Sequence, residues 1–114
     1  MAREQFQTLT EPMYYILRAL LEECCGVDIM EKVENLSHGR VTVGPGTLYA
    51  MLPKFEQAGL IRLTAAEGRR KSYIITYDGY LMLQKEYERL QTMLRDGAAP
   101  LRSFSESGCT LPEK

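Results

Sequence analysis

The stretch GPGTLYAMLPKFEQAGLI, residues 44–61, decides how the rest of the chain is read. It has the make-up of a helix of roughly three and a half turns followed by the start of a strand. Pro45 lacks an N–H and suits a first turn, where that donor has no helical partner. Leu48, Leu52 and Phe55 recur at i, i+4 and i+7 and are expected to face the core. Ala58 and Gly59 close the helix, and Leu60 and Ile61 carry the core into the strand. Pro53 deletes the hydrogen bond that would reach the Tyr49 carbonyl, at a cost of up to ~3 kcal/mol in a helix interior. A bend that tilts the first half of the helix and a plain tolerated kink both fit that loss.

The opposite face of this helix carries the functional expectation. Thr47, Ala50 and Lys54 point outward, with Tyr49 and Met51 on the flanks. A helix enters a DNA major groove only if its outward face is unobstructed and can donate to phosphates or base edges. Gly44 and Gly46 keep the entry uncrowded and leave backbone N–H groups where an anion is favoured. An ordinary surface helix after a Gly-Pro-Gly loop has the same polar outside, so the face alone does not settle the matter.

Downstream, residues 60–65 read as a strand, AEGRRK as a turn, and SYIITY as a second strand of β-branched and aromatic residues. The hairpin tip holds Gly68, Arg69, Arg70 and Lys71, three cations that repel each other and gain little from folding. A solvated turn is the plain alternative to a DNA-contacting wing. Upstream, Thr10, Glu11 and Pro12 start a first helix. Met13, Ile16, Leu17, Leu20, Leu21 and Cys24 form its apolar stripe, and its end is expected near residues 24–26. A second helix covers about 27–37, with Gly39 as its left-handed stop, and VTV, residues 41–43, is a short β-like segment.

A long helix is expected over about 78–94. Tyr80, Leu83, Tyr87, Leu90 and Leu94 step by three and four along it, the spacing of a coiled-coil seam. The tail from residue 97, rich in small and polar residues, is expected to be disordered. The organisation is therefore a DNA-binding part at 1–76, a dimerisation helix at 77–96 and a tail at 97–114. The fold class is α+β, mostly helical: three short helices, a basic-tipped hairpin and a long helix describe a winged helix-turn-helix.

Composition sets the limits. The chain has 114 residues, 45% hydrophobic and 25% charged, enough for one modest core. No apolar run approaches a membrane span and the first residues show no signal-peptide stretch, so a cytoplasmic protein is the default. The three cysteines, Cys24, Cys25 and Cys109, are an odd count without paired spacing, and His38 is the single histidine. Reduced thiols, no disulfide framework and no metal or other cofactor follow, with a thiol sensor at Cys24 and Cys25 as the minority reading. Net charge is −1, but it is unevenly spread. Residues 1–39 carry three basic and seven acidic side chains, whereas residues 40–72 carry six basic and two acidic. A positive middle third points to an anionic partner.

VGPGTLYAMLPKFEQAGLI, EGRRKSYIIT and GYLMLQKEYERL together resemble the PadR family of bacterial transcriptional regulators. LTEPMYYILRALLEE and GVDIMEKVENLS look like that family's first two helices, so the likeness covers roughly residues 8–96. The single long helix at the C-terminus is similar to the family's small subfamily. The resemblance implies a homodimer whose last helix packs on its partner, and a repressor on a roughly palindromic operator. It places Thr47, Leu48 and Tyr49 at the recognition-helix motif, Gly68, Arg69, Arg70 and Lys71 at the wing motif and Tyr73 at the aromatic that follows. Gly46, at the open helix end, is counted with the expected DNA contacts. Lys54 joins them from its outward position, and Leu83, Tyr87, Leu90 and Leu94 are the expected dimer contacts. Double-stranded DNA and a small apolar or aromatic effector are the expected partners, with release by a ligand or stress signal. Two departures stand out. Val27 sits where the family often has an aromatic residue. The chain also has no tryptophan, so the stacking of flat ligands between tryptophans in some relatives is not carried over; Tyr14, Tyr15, Tyr80 and Tyr87 are the available rings. No nucleophile–base pair or phosphate loop suggests an enzyme. A winged-helix module that binds protein instead of DNA is the competing function, separable from DNA binding by its weaker dependence on salt.

Overall fold

In the computed structural model, residues 8–106 are described. Thr10 caps the first helix, α1 (Glu11–Ala19), by accepting from the Met13 N–H through its side chain. The helix is shorter than its apolar stripe predicts. The chain leaves it at Leu20 and forms a two-residue strand, β1 (Cys24–Cys25), where the sequence suggests helix. Cys24 and Cys25 pair antiparallel with Tyr73 and Ser72. Cys24 is buried in either geometry, so its apolar character could not separate the two.

The second helix, α2 (Gly26–Leu36), buries Ile29 and Val33. His38 and Gly39 follow with φ of 55° and 79°, and the Gly39 N–H closes on the Glu34 carbonyl at 2.8 Å, which ends the helix in a left-handed turn. The VTV segment is not a strand. Val41 and Val43 are buried, but the backbone is held by a side chain. The Ser37 hydroxyl, itself buried, accepts from the Val41 N–H at 3.0 Å and lies 3.2 Å from the Val41 carbonyl. A serine takes the place of a neighbouring strand here.

The third helix, α3 (Pro45–Gln57), buries Leu48, Leu52 and Phe55. It runs unbroken through Pro53, whose ring lies on the exposed side. The hairpin strands are β2 (Ile61–Glu67) and β3 (Arg70–Ile75), and the sheet order is β1-β3-β2. A two-residue turn joins β2 and β3. Gly68 takes its first central position with φ of 60°, where a side chain would be disfavoured. An irregularity between Leu63 and Ala65 leaves Thr64 out of register, and its hydroxyl is buried without a partner among the described residues.

The last helix, α4 (Tyr77–Glu106), starts one residue after β3. Thr76 makes this junction. Its hydroxyl donates to the Gly59 carbonyl at 2.6 Å and accepts from the Gly79 N–H at 3.0 Å, capping α4. Helix α4 runs to Glu106, well past the predicted end near residue 94, so residues 97–106 are helical where disorder was expected. Leu94 and Leu101 are seven apart and continue the apolar series. Pro100 lies inside the helix on its exposed side, where it removes one backbone hydrogen bond without breaking the helix. Cys109 and the remainder of the tail lie outside the described residues.

The described chain forms two units, residues 8–84 and 85–106. The first holds α1–α3, the sheet and the opening of α4 around one core of Ile16, Leu17, Leu20, Ile29, Leu48, Leu52, Phe55 and Leu60. Leu83 belongs to that core, 7% exposed. It is therefore occupied by its own chain, not offered to a partner as its seam spacing predicts. The second unit is the rest of α4. Its Tyr87, Leu90, Met93, Leu94 and Leu101 are all exposed. This is the winged helix-turn-helix arrangement: α2 and α3 form the pair, and β2–β3 form the wing.

Candidate nucleic-acid interface

Helix α3 presents Gly46, Thr47, Ala50 and Lys54 to solvent, with Tyr49 52% exposed. No side chain caps its N-terminus at Gly44, so the N–H groups of Gly46 and Thr47 keep their outward donor capacity. A β-carbon added at Gly44 or Gly46 would meet nothing within 4 Å, so the helix end is open to a large ligand.

Between α3 and the wing lies a cleft of about 570 Å³. It is lined by Tyr49, Leu52 and Pro53 from α3, by Tyr73 from β3 and by Arg69, Arg70 and Lys71 from the hairpin tip. All three cations are exposed. Thus the structure brings Tyr49 together with the wing cations, whereas Gly46, Thr47 and Lys54 lie on the same helix outside the cleft.

The junction of β1 and α2 adds Cys25, Gly26 and Val27 to the lining. Cys25 and Gly26 were not legible as site residues, because nothing in their spacing relates residues 25–28 to residues 49 and 70; Val27 stood out only through the family resemblance, as a position where an aromatic contact to the DNA backbone is lost. Val27, in the place of the family's frequent aromatic, is 65% exposed. The Asp28 carboxylate lies 3.8 Å from the Arg70 guanidinium and accepts from the Cys25 thiol at 3.2 Å. The ion pair is exposed on both sides, 70% and 56%, and such a pair holds a side chain only loosely.

Burial, only partly offset by Lys32, pushes the Cys24 thiol above its ordinary range, a direction that disfavours the thiolate. Burial also raises the Tyr73 phenol above its ordinary range. Among the described residues no group of His, Cys, Asp or Glu is placed to hold a metal, and no helix is long and apolar enough to cross a membrane.

The arrangement of α2, α3 and the β2–β3 hairpin is that of the winged-helix regulators. The model of the transcriptional regulator PadR-like family matches residues 15–85, and the chain belongs to that family. Transcriptional regulator YqjI of Escherichia coli (strain K12) is 29% identical over 66 residues, 58% of this chain. The chain spans about a third (32%) of the length of the curated relatives it matches. Among solved structures, a transcriptional regulator from Clostridium thermocellum, Cth-833, superposes with a TM-score of 0.64 at 17% identity, over 81% of this chain and 92% of that one. The complex structure hsRosR-S4 gives a TM-score of 0.61 at 25% identity, over 89% of this chain and 99% of that one. The family is one of regulators, not of enzymes.

Proposed function

We propose that this transcriptional regulator is a cytoplasmic, dimeric repressor that binds a roughly palindromic DNA operator. The observation that carries this reading is the cleft in which Tyr49 faces Arg69, Arg70 and Lys71 beside the open N-terminus of α3. In it, α3 enters the major groove with Thr47 and Tyr49 forward, Gly46 offers its N–H to a phosphate, and Lys54 and the wing cations follow the backbone. Phosphate contacts set position and affinity, and base edges reached from α3 set sequence preference.

The test is a titration against duplex DNA from upstream of the chain's own coding sequence, across a salt series and with random competitor. Binding should weaken along a log–log line with a slope of about −0.9 per neutralised phosphate. Binding that ignores salt, or a preference for protein ligands, would replace this reading with a protein-interaction module. Tyr49→Phe removes the hydroxyl from a half-exposed ring. DNA affinity should fall several-fold, by about 1 kcal/mol for one lost hydrogen bond, with the melting temperature unmoved. A lower melting temperature with unchanged affinity would make Tyr49 a packing residue.

The exposed Tyr87, Leu90 and Leu94 support a second copy as the partner of α4, because a row of apolar side chains of this kind is costly to leave in water. Leu90→Glu should shift sedimentation from dimer to monomer. A native dimer of unchanged stability would remove Leu90 from the interface. Release by a small apolar or aromatic effector completes the proposal. Tyr77 and Tyr80, stacked with centroids 6.3 Å apart and both exposed, support a flat ligand.

A further inference from the structure

Gly26 opens α2 and is buried. A β-carbon on it would stand 2.5 Å from the Tyr49 hydroxyl oxygen, 2.9 Å from Cε1 and 3.0 Å from Cζ. Carbon atoms in contact sit about 3.5–4.0 Å apart, so the phenol of α3 occupies space that any other residue at position 26 would fill. The glycine is not required by its backbone. The glycines with positive φ are Gly39, Gly59 and Gly68, and Gly26 is helical, where glycine is a poor choice. What uses the missing side chain is the Tyr49 ring.

We infer that Gly26 is a positioning residue for DNA recognition: by having no side chain, it sets where the Tyr49 hydroxyl stands at the mouth of the cleft. The inference rests on the proposed function, which makes Tyr49 a DNA-contacting group. The atoms in conflict belong to the far end of a side chain with two rotatable bonds. An alanine at position 26 is therefore accommodated by swinging the ring, not by moving α2. The hydroxyl moves by roughly 1 Å to restore ordinary contact, a displacement large enough to break an aligned hydrogen bond.

The experiment is a double-mutant cycle on the full chain with Gly26→Ala, Tyr49→Ala and the double variant, read by DNA affinity and by thermal unfolding. Gly26→Ala should lose affinity several-fold in the wild-type background with little change in melting temperature. In the Tyr49→Ala background it should have no effect on affinity. Equal losses in both backgrounds would overturn the inference. If Gly26→Ala unfolds, whether or not the double variant folds, the ring does not yield by swinging and the inference falls. A third measurement does not depend on DNA. The Gly26 Hα resonances should carry an aromatic ring-current shift that Tyr49→Ala abolishes. Should wild type bind no duplex, the functional reading fails, and this resonance alone decides whether Gly26 places the ring. An unshifted Gly26 Hα in the wild type would dismiss that placement.

Discussion

Replacing Arg69 and Arg70 together by alanine should make the salt dependence of DNA binding shallower by up to ~3.6 in log–log slope for a dimer, because four cations leave the interface. Near physiological salt the affinity should fall on the order of 10²- to 10³-fold. Folding should not change. The tip cations are exposed, and the one ion pair described for either arginine, Arg70 with Asp28 at 3.8 Å, is exposed too and is worth ~1 kcal/mol or less. If only phosphates are touched, operator and random duplex should lose equally. A larger loss on A·T-rich operators would place an arginine in a narrow minor groove. Unchanged affinity and slope would take the wing out of the interface.

The largest effect on stability is expected at Gly79. A β-carbon there would fall on the Leu60 carbonyl oxygen and lie 2.7 Å from Ile75 Cγ1. That carbonyl already accepts the Thr76 N–H at 2.9 Å, and the Gly79 N–H is bonded to the Thr76 hydroxyl. Backbone blocks the new atom, so no rotamer change relieves it. Gly79→Ala should cost about 1–3 kcal/mol, as overpacking does, and lower the melting temperature by roughly 4–8 °C per kcal/mol for a domain of this size. Gly97→Ala in the same helix is the control. Its added carbon would meet Leu101 Cδ1 at an ordinary 3.8 Å, so it should be neutral or stabilising by up to ~1 kcal/mol. A Gly79→Ala protein that melts with wild type would refute the close approach.

The contrast between these two glycines shows what the sequence could carry. Helix α3 and the hairpin were legible because their determinants are local: Pro45 at a first turn, Leu48, Leu52 and Phe55 at helical spacing, and a glycine between two β-branched runs. Strand β1 was not, because two cysteines have no period and their strand character comes wholly from pairing with Tyr73 and Ser72. The length of α4 was hidden by Gly97 and Pro100, which end most helices but fall here on an exposed, otherwise regular one. Leu83 has the right spacing for a seam, yet the first turns of α4 are committed to their own core. The cleft was half legible. Its cations announce themselves, but the approach of Gly26 to Tyr49 joins residues 23 positions apart, which no motif in this chain records.

The Ser37 hydroxyl has a thermodynamic consequence. By bonding the Val41 backbone it holds the stretch between α2 and α3 in place before any ligand arrives. Val41 and Val43 are likewise buried in advance. A partner docking on α3 therefore meets a surface whose ordering cost has already been met by folding. Calorimetry on such an encounter should show a heat-capacity change set by the apolar area covered at contact, without the large extra decrement that accompanies a segment folding as it binds. Ser37→Ala, by freeing the Val41 backbone, should restore that decrement and make the binding entropy less favourable.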